Sequence, residues 1–172
     1  MAGKPRRVTF TVAVEDIDSY WGGYIAGFTD GEGYFGIESL HKDRTFTCGF
    51  SLTLRDDDQP LLALIRAKLG NIGTMRPQKQ HGKTHPAALF RVTTIAECIF
   101  LVRFFDRFPL QGKKARDYRI WKEAVLAKAA GAGPGYLRSL RAQIRQGRVY
   151  SARSDPAQSA DKQLRLLGRE TA

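Results

Sequence analysis

Residues 19–33 read SYWGGYIAGFTDGEG, and the arrangement of the rest of the chain follows from this stretch. Asp18 or Ser19 is a good helix N-cap, and the glycines at 31 and 33 stop the run, so a short helix is predicted here. Gly23 and Gly27 stand four residues apart on one helix face, with Ala26 beside them. Each glycine weakens a helix by about 1 kcal/mol relative to alanine. Such a face suits the close approach of a second backbone, whether from another molecule or from the chain's own core. Asp30 and Glu32 fall at the helix C-terminus, where the dipole is already negative. Two carboxylates are favourable there if a cation arrives, and carboxylate and carbonyl oxygens suit Mg²⁺.

Outward from this helix, Tyr34 to Leu40 reads as a strand with Phe35 and Ile37 on one face. A second strand is clearer: Phe46, Cys48, Phe50, Leu52 and Leu54 alternate with Thr45, Thr47, Gly49, Ser51 and Thr53, the period of a half-buried antiparallel strand. Asp56, Asp57 and Asp58 open a helix with Pro60 in its first turn and Leu61, Leu62, Ile65 and Leu69 as its apolar stripe; Gly70 stops it. Two more strands are predicted at about 72–80 and 87–93. Thr94 and Glu97 then form a capping box for a helix through Phe100, Leu101, Phe104 and Phe105 that Pro109 breaks. Further helices follow at about 113–130 and after Pro134. Residues 8–14 alternate well enough for a short strand, or serve as an arm leading into the first helix. The expectation is an α+β domain over residues 1–147 with a four-stranded antiparallel sheet and additional C-terminal helices. Residues 148–172 form a basic tail, flexible or a short helix.

Charge supplies the partner class. The chain of 172 residues carries 28 Lys+Arg against 17 Asp+Glu, a net +11, and most of the excess lies beyond residue 100. A basic half joined to a nearly neutral half points to a polyanion, most commonly nucleic acid. No apolar run approaches the roughly 20 residues of a membrane span, and no secretory leader is apparent. Cys48 and Cys98 lack metal-ligand spacing and read as reduced core residues. His41, His81 and His85 fall in loops. Phosphate-binding, zinc-protease and serine-hydrolase motifs are missing.

The segment Ile25-Ala26-Gly27-Phe28-Thr29-Asp30-Gly31-Glu32-Gly33 resembles the motif of the LAGLIDADG homing endonucleases. Two downstream segments match in kind: Arg55-Asp56-Asp57 with the Leu-rich helix to Leu69-Gly70, and Pro109-Leu110-Gln111-Gly112-Lys113-Lys114 through Tyr118. Together they cover roughly residues 19–146. The resemblance implies a curved αββαββα domain and site-specific cleavage of double-stranded DNA with Mg²⁺ or Mn²⁺. One motif per chain implies a homodimer through Gly23, Ala26 and Gly27, a long near-palindromic target, and a gene in a mobile intron or intein.

By the same resemblance Glu32 is the metal-binding acid, the Gly31 carbonyl a neighbouring ligand, and Asp30 either a further ligand or a stabiliser of the turn. Lys114 matches the active-site lysine, with Lys113 as runner-up. Leu54 departs from the pattern, because many relatives carry a polar residue there. Strand parity puts Tyr34, Glu38, Lys42, Thr45, Thr47, Ser51 and Thr53 opposite the core, with Arg76, Gln78, Gln80 and Arg91 extending that face. Laid in the major groove, such side chains read base edges. Arg116, Arg119, Arg138, Arg141 and Arg145 then serve as phosphate contacts that position the duplex.

Two other classes compete: a cleavage-deficient member acting in intron splicing or regulation, and a basic protein with no sequence preference. The chain reads as intracellular, and 18 Arg against 10 Lys suits a bacterial or phage gene better than an organellar one.

Overall fold

The computed structural model describes residues 10–78 and 85–148. The clearest alternation in the sequence becomes strand β2 (Thr45–Arg55), the strand around which the sheet is built. Strand β1 (Gly33–Leu40) pairs with it antiparallel, with Phe35 opposite Phe50 and Gly36 opposite Gly49. On its other side β2 pairs with β4 (Ala87–Val92), and β4 with β3 (Thr74–Gln78). The sheet order is β1-β2-β4-β3, antiparallel throughout. Both β1 and β3 are edges, and β3 carries Pro77 opposite Ala88.

Parity holds along the sheet. Phe35, Ile37, Phe46, Cys48, Phe50, Leu52, Ala88, Phe90 and Val92 are all buried on one face. The helices cover that face and leave the other bare. α1 (Ser19–Glu32) begins where expected, with the Asp18 side chain accepting from the Trp21 N–H at 3.0 Å. α2 (Gln59–Lys68) follows a 3-10 turn over the three aspartates and ends before Gly70, whose φ of +73° needs a glycine. α3 (Ile95–Arg107) and α4 (Lys114–Ala129) supply the centre of the core. There Phe35 meets Phe50, Phe105, Tyr118 and Trp121, with ring centroids 5.3–5.6 Å apart. α5 (Pro134–Gly147) lies on α4 and buries Leu137, Leu140 and Ile144.

From Phe10 on, the N-terminal stretch takes the second of its two expected forms, an arm: Phe10 stacks on Phe100, and Val14 to Asp16 make a single 3-10 turn. Two long-range arrangements lie outside the sequence reading. The Thr94 side chain makes no backbone cap. Its hydroxyl donates to Glu97 Oε2 at 2.5 Å, while Glu97 Oε1 is taken by the Gly73 N–H at 2.9 Å. A distant backbone donor has replaced the local one. Arg138 and Arg141 are held by the β1–β2 turn, through the Asp43 carbonyl at 3.0 Å and its carboxylate at 3.3 Å. They brace a turn in which His41, Lys42 and Asp43 all have positive φ. The tail beyond Arg148, expected to be flexible or a short helix, lies outside the described residues.

Cys98 Sγ lies 3.6 Å from the Cys48 carbonyl, and neither thiol is in a disulfide. Burial pushes the Cys48 thiol up to about 11, and burial first, then the neighbouring groups, raises Cys98 as well. At pH 8 the native protein is therefore expected to resist alkylation at both cysteines while the urea-unfolded chain reacts at both, a difference read by intact mass. Truncating Phe35 to alanine should cost about 3–5 kcal/mol in urea denaturation, the scale of a cavity left by a buried aromatic ring.

Candidate active site and sheet interface

The chemistry-bearing residues converge where α1 hands over to β1. α1 ends at Glu32, and the Gly33 N–H caps the Thr29 carbonyl. The Gly31 carbonyl has no donor within the helix, because Phe35, four residues on, is already in β1. Glu32 and Gly31 are exposed. Lys114, the first residue of α4, donates from Nζ to the Gly33 carbonyl and is only partly exposed. The structure thus brings Lys114 next to the residue that follows Glu32. Lys113 makes no such contact and is exposed.

Asp30 takes the other direction. Its Oδ2 accepts from the Gln111 N–H at 2.7 Å, and its Oδ1 is buried without a partner among the described residues. Gly112 packs so closely that a Cβ there would sit 3.0 Å from that oxygen. Asp30 therefore ties the end of α1 to the loop that launches α4, and so to Lys114.

The outward face of α1 is bare. A Cβ added at Gly23, Gly27 or Gly31 would meet nothing within 4 Å, so the alternative that these glycines pack on the chain's own core is excluded for Gly23 and Gly27. Tyr20 and Tyr24 flank the ridge, 72% and 37% exposed. Ala26 is different: at 5% exposure it is already buried within the chain and offers little to a second molecule, a correction to its expected place on that face. The glycine that sequence reasoning missed is Gly22. Its Cβ would fall 2.3 Å from the Phe108 ring, so α1 packs there as closely on its own chain as it is open one residue later.

The sheet's free face carries the expected row of side chains. Register places Thr74, Arg91, Ser51 and Tyr34 in one line across four strands, with Glu38 beside Thr47 and Arg76 in line with Thr53 through Leu89. Gln78 lies in line with Arg55 through Ala87, while Thr45 pairs with Leu40 near the β1–β2 turn that holds the exposed Lys42. Gln80 lies outside the described residues. Leu54 belongs to the core-facing set and packs against it, which accounts for an apolar residue there; Ser51 and Thr53 are the polar side chains of that strand end. Parity could have singled out Arg55, Thr74 and Leu89 on the same face.

The β1 edge is lined with cations. Arg148 donates to the Phe35 carbonyl at 2.6 Å and to Asp117 at 2.7 Å, and its guanidinium lies 4.5 Å from the Tyr34 ring centroid. Arg116, beside it across Gly147, is exposed. Among the described residues no group of three or more His, Cys, Asp or Glu forms a metal site, so Glu32 with the Gly31 carbonyl is at most part of one.

A four-stranded antiparallel sheet with one face free, and an acid-tipped helix whose outer side is bare glycine, define the architecture. A family model described as LAGLIDADG endonuclease matches residues 25–125, more than half of the chain, and the chain belongs to that family. Among curated relatives, a protein in ND4 intron 1 of Podospora anserina is 31% identical over 69% of this chain and 26% of its own length. A cox1 intron-2 protein of Schizosaccharomyces pombe is 25% identical over 64% of this chain and 32% of its own. The chain thus spans a quarter to a third of those relatives. Their source does not favour the bacterial or phage origin that the arginine excess suggested.

Solved structures agree on the fold. The LAGLIDADG meganuclease I-AabMI bound to uncleaved DNA is 26% identical with a TM-score of 0.56, over 64% of this chain and 37% of that one. An archaeal intron-encoded homing endonuclease complexed with DNA is 19% identical with a TM-score of 0.65, over 79% of this chain and 89% of that one.

Adjacent glycines in α1 should respond oppositely to alanine. Gly22→Ala is expected to destabilise the fold by about 1–3 kcal/mol through overpacking against Phe108. Gly23→Ala should gain up to about 1 kcal/mol of helix propensity in thermal melts of the dilute chain.

Proposed function

We propose that this chain is a site-specific double-strand DNA endonuclease that depends on Mg²⁺ or Mn²⁺ and acts as a homodimer on a near-palindromic site. The observation that carries the reading is the junction of α1 and β1. There an exposed carboxylate, Glu32, ends a helix beside a free carbonyl, with Lys114 one residue away. That donor set is hard oxygen and fits a divalent cation, but one copy supplies too few ligands. A second copy packed on the bare Gly23, Gly27 and Gly31 ridge would bring its own Glu32 near the first, and the two carboxylates with the Gly31 carbonyls would then hold the ion. When bound, the ions supply charge neutralisation at the attacking and leaving oxygens of the phosphodiester.

The chain's own residues then do three things. Glu32 and the Gly31 carbonyl hold the cation. Lys114, oriented by the Gly33 carbonyl, places a positive charge beside the scissile phosphate, where charge grows in the transition state. Asp30 keeps the loop to α4 in register with α1. On the sheet, Tyr34, Glu38, Lys42, Thr45, Thr47, Ser51, Thr53, Arg76, Gln78 and Arg91 face the major groove, while the exposed Arg116 at the β1 edge contacts phosphate. That the I-AabMI structure holds uncleaved DNA supports DNA as the partner. No described helix is long and apolar enough to cross a membrane.

Cleavage of a randomised DNA library with Mg²⁺ should yield one near-palindromic product site. Cutting should vanish in EDTA and fall about 10²–10³-fold in Glu32→Gln, the scale for removing one charge-stabilising group. Sequence-selective binding without cutting would overturn the enzymatic reading in favour of a binding protein. Gly27→Leu should leave the dilute chain at least as stable to heat but shift sedimentation from dimer to monomer; an unshifted dimer would place the interface elsewhere.

A further inference from the structure

The free face of the sheet holds a feature that neither the site chemistry nor the fold explains. Arg91 on β4 reaches across β2 to Glu38 on β1, with Nη2 donating to Oε2 at 2.5 Å. The path is open because Gly36 and Gly49 are paired opposite one another and present no side chain; the position of a Gly49 Cβ lies 3.9 Å from Arg91 Nη2. The two side chains are 37% and 42% exposed, and surface pairs of that kind add little stability. Phosphate contact is also a poor account of them. Glu38 cancels the charge of Arg91, and a carboxylate held against a DNA backbone is repelled.

The remaining hydrogen-bonding capacity is specific. The pair uses one N–H of a guanidinium that has five, and one oxygen of the carboxylate. Among the described residues, Glu38 Oε1 has no other partner. Side by side, then, stand a fork of donors and one acceptor. In the major groove a G·C pair presents two acceptors, guanine N7 and O6, followed by one donor, cytosine N4. An A·T pair presents acceptor, donor, acceptor and a methyl group, which sets its central donor against the guanidinium.

We infer that Glu38 and Arg91 act as one composite reader of a single G·C base pair, Arg91 on guanine and Glu38 on cytosine of the same pair, rather than as two independent contacts. This rests on the DNA-binding reading above and adds to it the base pair recognised and the coupling between the two residues. Glu38 fixes Arg91 in position before DNA arrives, so the guanidinium's rotamer freedom is already spent.

The test is selection of bound sequences from a randomised duplex library by the full chain, for wild type, Glu38→Gln, Arg91→Lys and the double variant, with melting temperatures as the folding control. Wild type should select G·C at one position of each half-site. Glu38→Gln and Arg91→Lys should each relax preference at that same position, by roughly tenfold or more, and the double variant should lose little beyond either alone. Relaxation at two different positions, or additive losses in the double variant, would overturn the composite reader while leaving DNA recognition intact. A uniform drop in affinity with unchanged preference would show that the pair contacts phosphate and would overturn it too. If wild type selects no sequence at all, the DNA-binding reading fails and the pair's role with it.

Discussion

The outer edge of β1 is the constraint on which the rest of the structure depends. An edge strand leaves a row of backbone carbonyls without partners, and here long cationic side chains fill that row: Lys114 on the Gly33 carbonyl and Arg148 on that of Phe35. Because those cations sit at the start of α4 and the end of α5, satisfying the edge also fixes both helices against the sheet. Asp117, buried on α4, locks the same arrangement through Arg148. Backbone satisfaction and placement of the lysine beside Glu32 are thus one event. A change that loosened the edge would move the candidate site with it.

α1 stands between two demands. Its inner side is sealed by Gly22 against Phe108 and by buried Ile25 and Ala26, while its outer side carries almost no bulk. Glycines this dense cost helix stability, so the helix is held by its packing and by the Asp18 cap more than by propensity. Its C-terminal end is held by Asp30 through the Gln111 N–H, a tie between residues far apart in sequence. The solved structures fall into two size groups around this unit. The chain matches 37% of I-AabMI but 89% of the archaeal endonuclease, so the same fold occurs as a fraction of one chain and as nearly the whole of another.

Period and punctuation made most of the fold legible from residues alone. The alternation of 45–54 gave the faces of β2, Asp18 the start of α1, Pro109 the end of α3, and Gly70 the stop of α2. These are local signals, each set by neighbours in sequence. What the sequence could not show is long-range. The Thr94–Glu97 pair had the spacing of a capping box, yet the Gly73 N–H, 24 residues away, competes for the same carboxylate. Ala26 shares a helix face with Gly23 and Gly27 by arithmetic, but the core reaches one position further round the helix than the apolar pattern suggests. Arg138 and Arg141 looked like free cations until the β1–β2 turn came to meet them. For the candidate site, the family motif pointed to Glu32 and Lys114. Their proximity through Gly33, and the link from Arg91 to Glu38, are products of tertiary pairing that no spacing rule encodes.

The two edges of the sheet have a further consequence for how the protein behaves in a crowd. A sheet with one uncovered face and free margins is a template for other chains, and pairing edge to edge is the usual route to fibrils. Here one margin is occupied by lysine and arginine, and the other, β3, carries Pro77, which lacks the N–H that a new strand would need. The open face can stay broad and unprotected because growth is blocked from the sides. Replacing Pro77 with a β-branched residue would restore the missing N–H on β3 and open that margin to pairing with other chains.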